Sequence, residues 1–362
     1  MKHTLSLSMK LSCWEQYKFI ISRFYDYARK HGHNYCFPLD GWESKKMAVE
    51  GEMFTALTKY GITMRAVTYS GAGYVSYIWE IKINPNSRYG IDRISVADEN
   101  DVKVCFDMLD FFLQHKLGIP CDHGDFNINR LDCAYNHFSE STEILGLYMS
   151  LMKKANIPHD YEHFREYNDF AHRTIKPKDA IYCCNSSRTV TINIYNKALQ
   201  LAKDKYIDEN YDLSQANGLM RIEVQISRQK LVGYQKLLRV NSLHPEAYIK
   251  DCFSFYVLKY YMKELFRTGD YYTFAVAKEK ISNSNFHYPS KEMMVQMLEL
   301  TSTRNGLKNA IKEMLAMGYT QKSVFATLER FDSLHINPVT IPIIKAREHN
   351  INFLPSPINL LH

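Results

Sequence analysis

The residues that can do chemistry stand at alternate positions in four short segments. Strand side chains point to opposite faces in turn, so residues two apart share a face. In Trp79-Glu80-Ile81-Lys82-Ile83, Glu80 and Lys82 lie on one side and the three apolar residues on the other. In Arg130-Leu131-Asp132-Cys133 the polar pair is Arg130 and Asp132. Thr191, Asn193, Tyr195 and Lys197 share a side opposite Ile192 and Ile194, and Arg221, Glu223 and Gln225 oppose Ile222, Val224 and Ile226. With the strands adjacent, three carboxylates (Glu80, Asp132, Glu223), four basic groups (Lys82, Arg130, Lys197, Arg221) and one tyrosine meet on a single sheet surface. An all-oxygen ligand set favours a hard cation such as Mg²⁺ or Mn²⁺. The basic groups suit a phosphate backbone. Tyr195 with a lysine two residues on has the makings of a nucleophile, because a nearby ammonium favours the phenolate. The same pattern also describes an exposed sheet face laced with cross-strand ion pairs, and a lone tyrosine among 26 carries weight only through its company.

The elements that must position these residues read as α+β. Alternating apolar residues bounded by Gly, Asn, Asp or Pro predict strands at 64–70, 74–83, 126–136, 188–197 and 219–227, the first two joined by the Gly71-Ala72-Gly73 turn. Cys105, Met108, Leu109 and Phe112 mark one amphipathic helix, and Ile144, Leu147, Tyr148 and Leu151 another. The expectation is an antiparallel-leaning sheet with helices on one face. Residues 158–186, polar and rich in His and Asp, read as a long connection. Near residue 235 the pattern turns helical, dividing the chain into a catalytic domain, 1–235, and a helical C-terminal domain, 236–362. There Leu307, Ile311, Met314 and Leu315 form one helix, Gly318 stops it, and Thr320 caps a second with Val324, Leu328 and Phe331. This is the outline of a helix-turn-helix with Lys322 and Arg330 on its second member; a plain αα-hairpin with solvated lysines is the better reading of the pattern alone.

Composition sets bounds without naming a function. The chain has 362 residues, 46% of them hydrophobic, with 15 Gly and 11 Pro, which argues against disordered, collagenous or repeat architectures. A net charge of +6 permits an acidic partner without demanding one. No window approaches the length of a membrane span, and the first eight residues lack a signal-peptide pattern, so a cytoplasmic protein without membrane association is expected. The eight cysteines, with no Cys-x-x-Cys pair, read as reduced thiols. A zinc site from His159, His163, Cys183 and Cys184 is disfavoured because adjacent cysteines present tetrahedral geometry poorly.

The order of four motifs resembles a known family. Glu80-Ile81-Lys82-Ile83-Asn84-Pro85, then Arg130-Leu131-Asp132, then Tyr195-Asn196-Lys197 ending a strand, then Arg221 to Ile226, resemble the replication initiators of filamentous phages, the gene II/X protein family, and related plasmid rolling-circle initiators. Gly318-Tyr319 and the helix after it resemble that family's C-terminal part, so the likeness spans most of the chain. The resemblance implies a rolling-circle nickase fold and a site-specific DNA strand transferase working at a phage or plasmid origin. Tyr195 would attack a phosphodiester, leaving a 5′-phosphotyrosine and a free 3′-hydroxyl, and Lys197 would activate it or stabilise its departure. Asp132 and Glu223, with Glu80 the less certain third, would hold Mg²⁺ or Mn²⁺. Lys82, Arg130, Asn193, Arg221 and Gln225 would touch DNA or support the ligands. A host helicase and polymerase would be partners, in a bacterial cytoplasm. Many rolling-circle enzymes hold their metal through a His-hydrophobic-His pair, whereas His31-Gly32-His33 here lies outside the motif strands and reads as a surface coincidence. A conjugative relaxase with the same chemistry and a noncatalytic DNA-binding regulator are the competing readings.

Overall fold

Thr4, Ser6 and Ser8 alternate with Leu5 and Leu7 in a strand that the expectations above omit, β1 (Lys2–Leu11). The computed structural model describes residues 2–39, 48–71, 73–89, 94–155, 160–163, 166–168, 173–175, 177, 179–203 and 212–361. After β1 come α1 (Trp14–His31), β2 (Cys36–Leu39), β3 (Ala48–Phe54), β4 (Ile62–Gly71), β5 (Tyr74–Ile83), α2 (Glu99–Phe111), β6 (Asn127–Phe138) and α3 (Thr142–Met152). Next are β7 (Tyr161–His163), β8 (Glu166–Asn168), β9 (Arg173–Ile175), β10 (Ala180–Asn185), β11 (Val190–Asn196), α4 (Lys197–Ala202) and β12 (Leu219–Ser227). The remainder is helical: α5 (Arg228–Leu238), α6 (Pro245–Tyr248), α7 (Asp251–Phe266), α8 (Phe274–Ser282), α9 (Tyr288–Thr303), α10 (Leu307–Ala316), α11 (Gln321–Ser333) and α12 (Ile343–Glu348), with a small ribbon of β13 (Tyr271–Tyr272) and β14 (Phe353–Leu354). The fold is α+β, as the strand and helix patterns predict.

Two compact units divide these elements. The first comprises Met1–Tyr135, Ser187–Thr191 and Glu223–Tyr256, the second Asn136–Ser186, Ile192–Ile222 and Val257–His362. Strands in the first run in the order β2-β3-β4-β5-β1-β6-β12, and those in the second β12-β11-β10-β7. β1 is antiparallel to β5 on one edge and to β6 on the other. Its apolar side chains complete the core: Leu5 lies between Ile83 and Leu131, Leu7 beside Ile81, and Leu5 and Leu7 are fully buried. Tyr17, Ile20, Phe24 and Ala28, spaced to share one stripe of α1, cover this side of the sheet. Phe24 stacks on Phe54 at 4.6 Å and meets Trp79 edge-on at 6.1 Å, and Trp79 meets Phe126 at 5.2 Å. α2 starts at a capping box formed by Asp98 and Asp101 and adds Val102, Cys105, Phe106 and Leu109 to the buried set.

In the second unit α3 buries Leu145, Leu147, Met149, Leu151 and Met152. Residues 158–186, expected as a connection, contain β7 to β10 instead, with β10 antiparallel to β7. The apolar core of β10, Ala180 to Cys184, is only five residues long, and its polar surroundings disguised it. His159 lies outside the described residues. His163 pairs with Cys183 across the β7–β10 ladder, and burial pushes the Cys183 thiol up to about 12. The α10–α11 pair forms as its pattern predicts: Gly318 takes φ +94° between the helices, and the Thr320 hydroxyl accepts the Ser323 N–H at 3.2 Å. Among the described residues no helix is long and apolar enough to cross a membrane.

Because β1 is paired along both edges and its Leu5 is fully buried, Leu5→Ala lowers the unfolding free energy by about 2–5 kcal/mol. Lys10→Ala, at an exposed position on the same strand, changes it by less than about 0.5 kcal/mol. Urea unfolding of both variants checks the contrast.

Candidate functional site

The polar face of the first unit is built on small side chains. Ser6 is paired with Lys82 on one side and Arg130 on the other, while Thr4 pairs with Asp132 and Ser8 with Glu80. Between Ser6 and Leu7 the register of β6 slips from Arg130 to Ile128, leaving Asn129 as the extra residue of a bulge. A groove of about 520 Å³ opens over this surface, lined by Ser6, Thr63, Arg65, Glu80, Lys82, Asn129 and Arg130 among others. Asn129 Oδ1 is buried there without a hydrogen-bond partner.

Asp132 is 1% exposed, and Arg130 grips it with both arms of its guanidinium, Nε to Oδ1 at 2.7 Å and Nη2 to Oδ2 at 2.6 Å. Burial raises the Asp132 carboxyl above the usual carboxylate range; Arg130 opposes the rise, Glu223 adds to it, and Lys82 opposes it. The bond to Asp132 in turn raises the Arg130 guanidinium. Glu223 is buried, with His3 Nε2 at 3.8 Å from its Oε1, and His3 Nδ1 lies 3.1 Å from Thr4 Oγ1. Lys82, Arg130, Asp132 and Glu223 therefore share one electrostatic neighbourhood. Gln225, half-buried, follows Glu223 by two positions on β12.

Glu80 is held elsewhere. Arg65 forms an ion pair with Oε2, and the Tyr69 hydroxyl donates to Oε1 at 2.9 Å. Burial first, then the Glu80 charge, pushes Tyr69 up to about 12. Glu80 is opposite Ser8 and Asp132 opposite Thr4, an offset of four residues along β1, or about 13 Å. Among the described residues no group of three His, Cys, Asp or Glu side chains is arranged to hold a metal ion. Asp132 and Glu223 remain a two-carboxylate set, which suits Mg²⁺ or Mn²⁺ when phosphate oxygens and water complete the shell. His31 and His33 are exposed at the end of α1, their rings against Tyr27 and Tyr35 at 4.2 and 5.5 Å.

Tyr195 belongs to the second unit. It is 8% exposed and lines a pocket of about 240 Å³ with Asp179, Tyr182, Asn196, Gln200 and Lys203. Lys197 does not continue the strand face as the alternation predicts. Asn196 ends β11 and caps α4, its Oδ1 accepting the Leu199 N–H at 3.2 Å, so Lys197 is the first helical residue. Its ammonium is nevertheless 5.9 Å from the Tyr195 ring centroid, and it donates to Gln200 Oε1 at 2.7 Å with only 5% of the residue exposed. Lys203 and Asp179 form an ion pair at 3.0 Å on the wall of the pocket. Asn193 is half-buried. Arg221 is 1% exposed and donates from Nε to Asn136 Oδ1 at 2.8 Å, so it is an internal strut rather than a surface contact for DNA.

Sequence reasoning missed His3, Asn129, Asn136, Tyr182, Gln200 and Lys203. Gln200 follows Lys197 by three residues and Lys203 follows Gln200 by three, a helical spacing that marks them once α4 is assigned. The others take their places through strand pairing, which leaves no local mark.

No protein-family model matches this chain, and no curated protein matches it. A solved structure to which it is similar is described as "Structure of Rolling Circle Replication Initiator Protein from Geobacillus stearothermophilus". The TM-score is 0.32 and the identity 14%, over 66% of this chain and 77% of that one. The likeness is too distant to assign a function.

The upward shift of Asp132 gives a signed prediction. Its native form holds a proton more tightly than the unfolded chain does, so its contribution to stability is fully present below the unfolded value of 3.8 and is lost as pH rises through the native value. The stability of Asp132→Asn relative to the natural protein should therefore increase with pH across this acid window, read from urea unfolding at a series of pH values from 4 upward. A constant difference would show that Arg130 fully offsets the burial.

Proposed function

We propose that this chain is a metal-dependent DNA strand transferase that opens rolling-circle replication at a phage or plasmid origin. The observation that carries the reading is Tyr195, a nearly buried tyrosine facing a polar pocket with the buried Lys197 ammonium beside its ring. The Tyr195 oxygen attacks the phosphorus of a phosphodiester and gives up its proton. The phosphorus–oxygen bond to the 3′ side breaks, and the departing oxygen takes a proton to become a 3′-hydroxyl. The product is a 5′-phosphotyrosine, reversed when a later 3′-hydroxyl attacks it to rejoin the strand. Lys197 favours the phenolate both when Tyr195 attacks and when it leaves.

In this reading Asp132 and Glu223 would hold Mg²⁺ or Mn²⁺, which would supply positive charge for phosphate oxygens of the DNA. Arg130, with 45% of its side chain exposed, is free at its outer edge to reach a phosphate while it orients Asp132. Lys82 is exposed beside the groove and supplies a second positive charge for the DNA backbone. Glu80 acts through Arg65 and Tyr69 rather than as a metal ligand. Asn193 and Gln225 are assigned to DNA contact or to support of these groups. Residues 1–235 carry the nicking chemistry and 236–362 help grip the origin, with a host helicase and polymerase extending the 3′ end.

The test is incubation with supercoiled DNA carrying the origin of its own replicon and Mg²⁺ or Mn²⁺, followed by a denaturing gel for a covalent protein–DNA adduct. Tyr195→Phe abolishes the adduct, Lys197→Ala slows its formation about 10²–10³-fold, and a chelator prevents it. Origin binding without any adduct in the natural protein would favour a regulator and overturn the assignment of Tyr195. An adduct that survives Tyr195→Phe would move the nucleophile elsewhere.

A further inference from the structure

A second concavity in the first unit is used by none of the residues above. It has a volume of about 450 Å³ and is walled by rings from four places: Tyr27 of α1, Tyr35 before β2, Tyr60 in the turn before β4, and Phe111 at the end of α2. The chain after Phe111 continues as a π-helical turn, Phe112–Lys116, whose Phe112 ring packs 5.0 Å from Tyr27. Two lysines stand at the aromatic walls. Lys59 Nζ is 4.9 Å from the Tyr60 ring centroid and Lys116 Nζ is 5.5 Å from that of Phe111. Among the described residues no carboxylate lines the cavity.

These features select a ligand that is flat, apolar on its faces and negatively charged at its edge. The volume lies in the range of small-molecule sites. Phe111 is 54% exposed, so part of its ring surface is open to a ligand. Aromatic walls with flanking ammonium groups are how single-stranded nucleic acid is held without sequence readout: each base offers a π-face and each phosphate a charge. A duplex keeps its bases stacked inside, so the occupant must be an unpaired base. We propose that this cavity takes one unpaired base of single-stranded DNA, stacked against Phe111 and Tyr60, with the flanking phosphates on Lys59 and Lys116. The proposal rests on the reading of the chain as an enzyme of single DNA strands, and names where a displaced strand is held.

The experiment measures anisotropy of a short fluorescein-labelled oligodeoxythymidylate and of the same strand made abasic, without divalent metal. The natural protein prefers the base-bearing strand. Phe111→Ala, at a half-exposed position, removes that preference and weakens binding roughly 5- to 150-fold, whereas Phe111→Tyr retains it. Lys59→Ala with Lys116→Ala makes the slope of log affinity against log salt shallower by about 1.4. Equal affinity of the natural protein for the two strands, or unchanged preference in Phe111→Ala, overturns the proposal. Thymidine monophosphate binding as tightly as the strand overturns it too, in favour of a free-nucleotide site. Adduct formation at the origin is read separately. A normal adduct with no base preference defeats only this pocket, and a clear base preference with no adduct defeats only the nicking assignment.

Discussion

Ser6 separates Lys82 from Arg130, and Thr4 stands beside Asp132, because β1 is hydrogen-bonded along both edges between β5 and β6. Its leucines go to the α1 side, where they are fully buried, and its hydroxyls go to the other. Those small side chains leave room for the groove above them. A large residue at position 6 would fill the space between these two basic side chains. The polar face thus depends on a strand that carries no charge on its central residues, 4–9.

Asp132 shows the cost of such a face. A carboxylate nine-tenths buried or more loses several kcal/mol of hydration, and even a bidentate guanidinium repays this incompletely. Its upward shift reports the deficit. Core packing alone would favour an apolar residue here, as at neighbouring Leu131 and Cys133. The carboxyl lies in the field of a second buried carboxylate, Glu223, and is gripped by the exposed Arg130 guanidinium.

Lys197 reaches the Tyr195 ring by leaving the strand. Asn196 closes β11 and opens α4, and the first helical turn folds the lysine back over the tyrosine, where Gln200 accepts from its ammonium. Burial of both residues keeps water from screening the pair. The aromatic cavity of the first unit is different in kind: it gathers rings and lysines from segments far apart in the chain, and its lining residues are distinct from those of the groove.

Alternation marked which residues share a face along each strand, up to Asn196, where β11 ends. Alternation is a property of the local backbone, so β5 and β12 match their predicted ranges, 74–83 and 219–227, end to end. The sequence by itself also determined the helical hairpin near Gly318 and Thr320, whose stop and cap act within one turn. β1 was legible in principle, since Leu5-Ser6-Leu7-Ser8 alternates strictly, but so short a run at the start of a chain gives no hint that it lies at the middle of a sheet. Only the tertiary structure decided that Asp132 and Glu223 come together while Glu80 turns to Arg65 and Tyr69. It alone decided that Arg221 is an internal strut and that Phe111 faces a cavity with Tyr27 and Tyr60. The reason is common to all of these: pairing register and burial are set by contacts between distant segments, whose free energy leaves no pattern within any one of them.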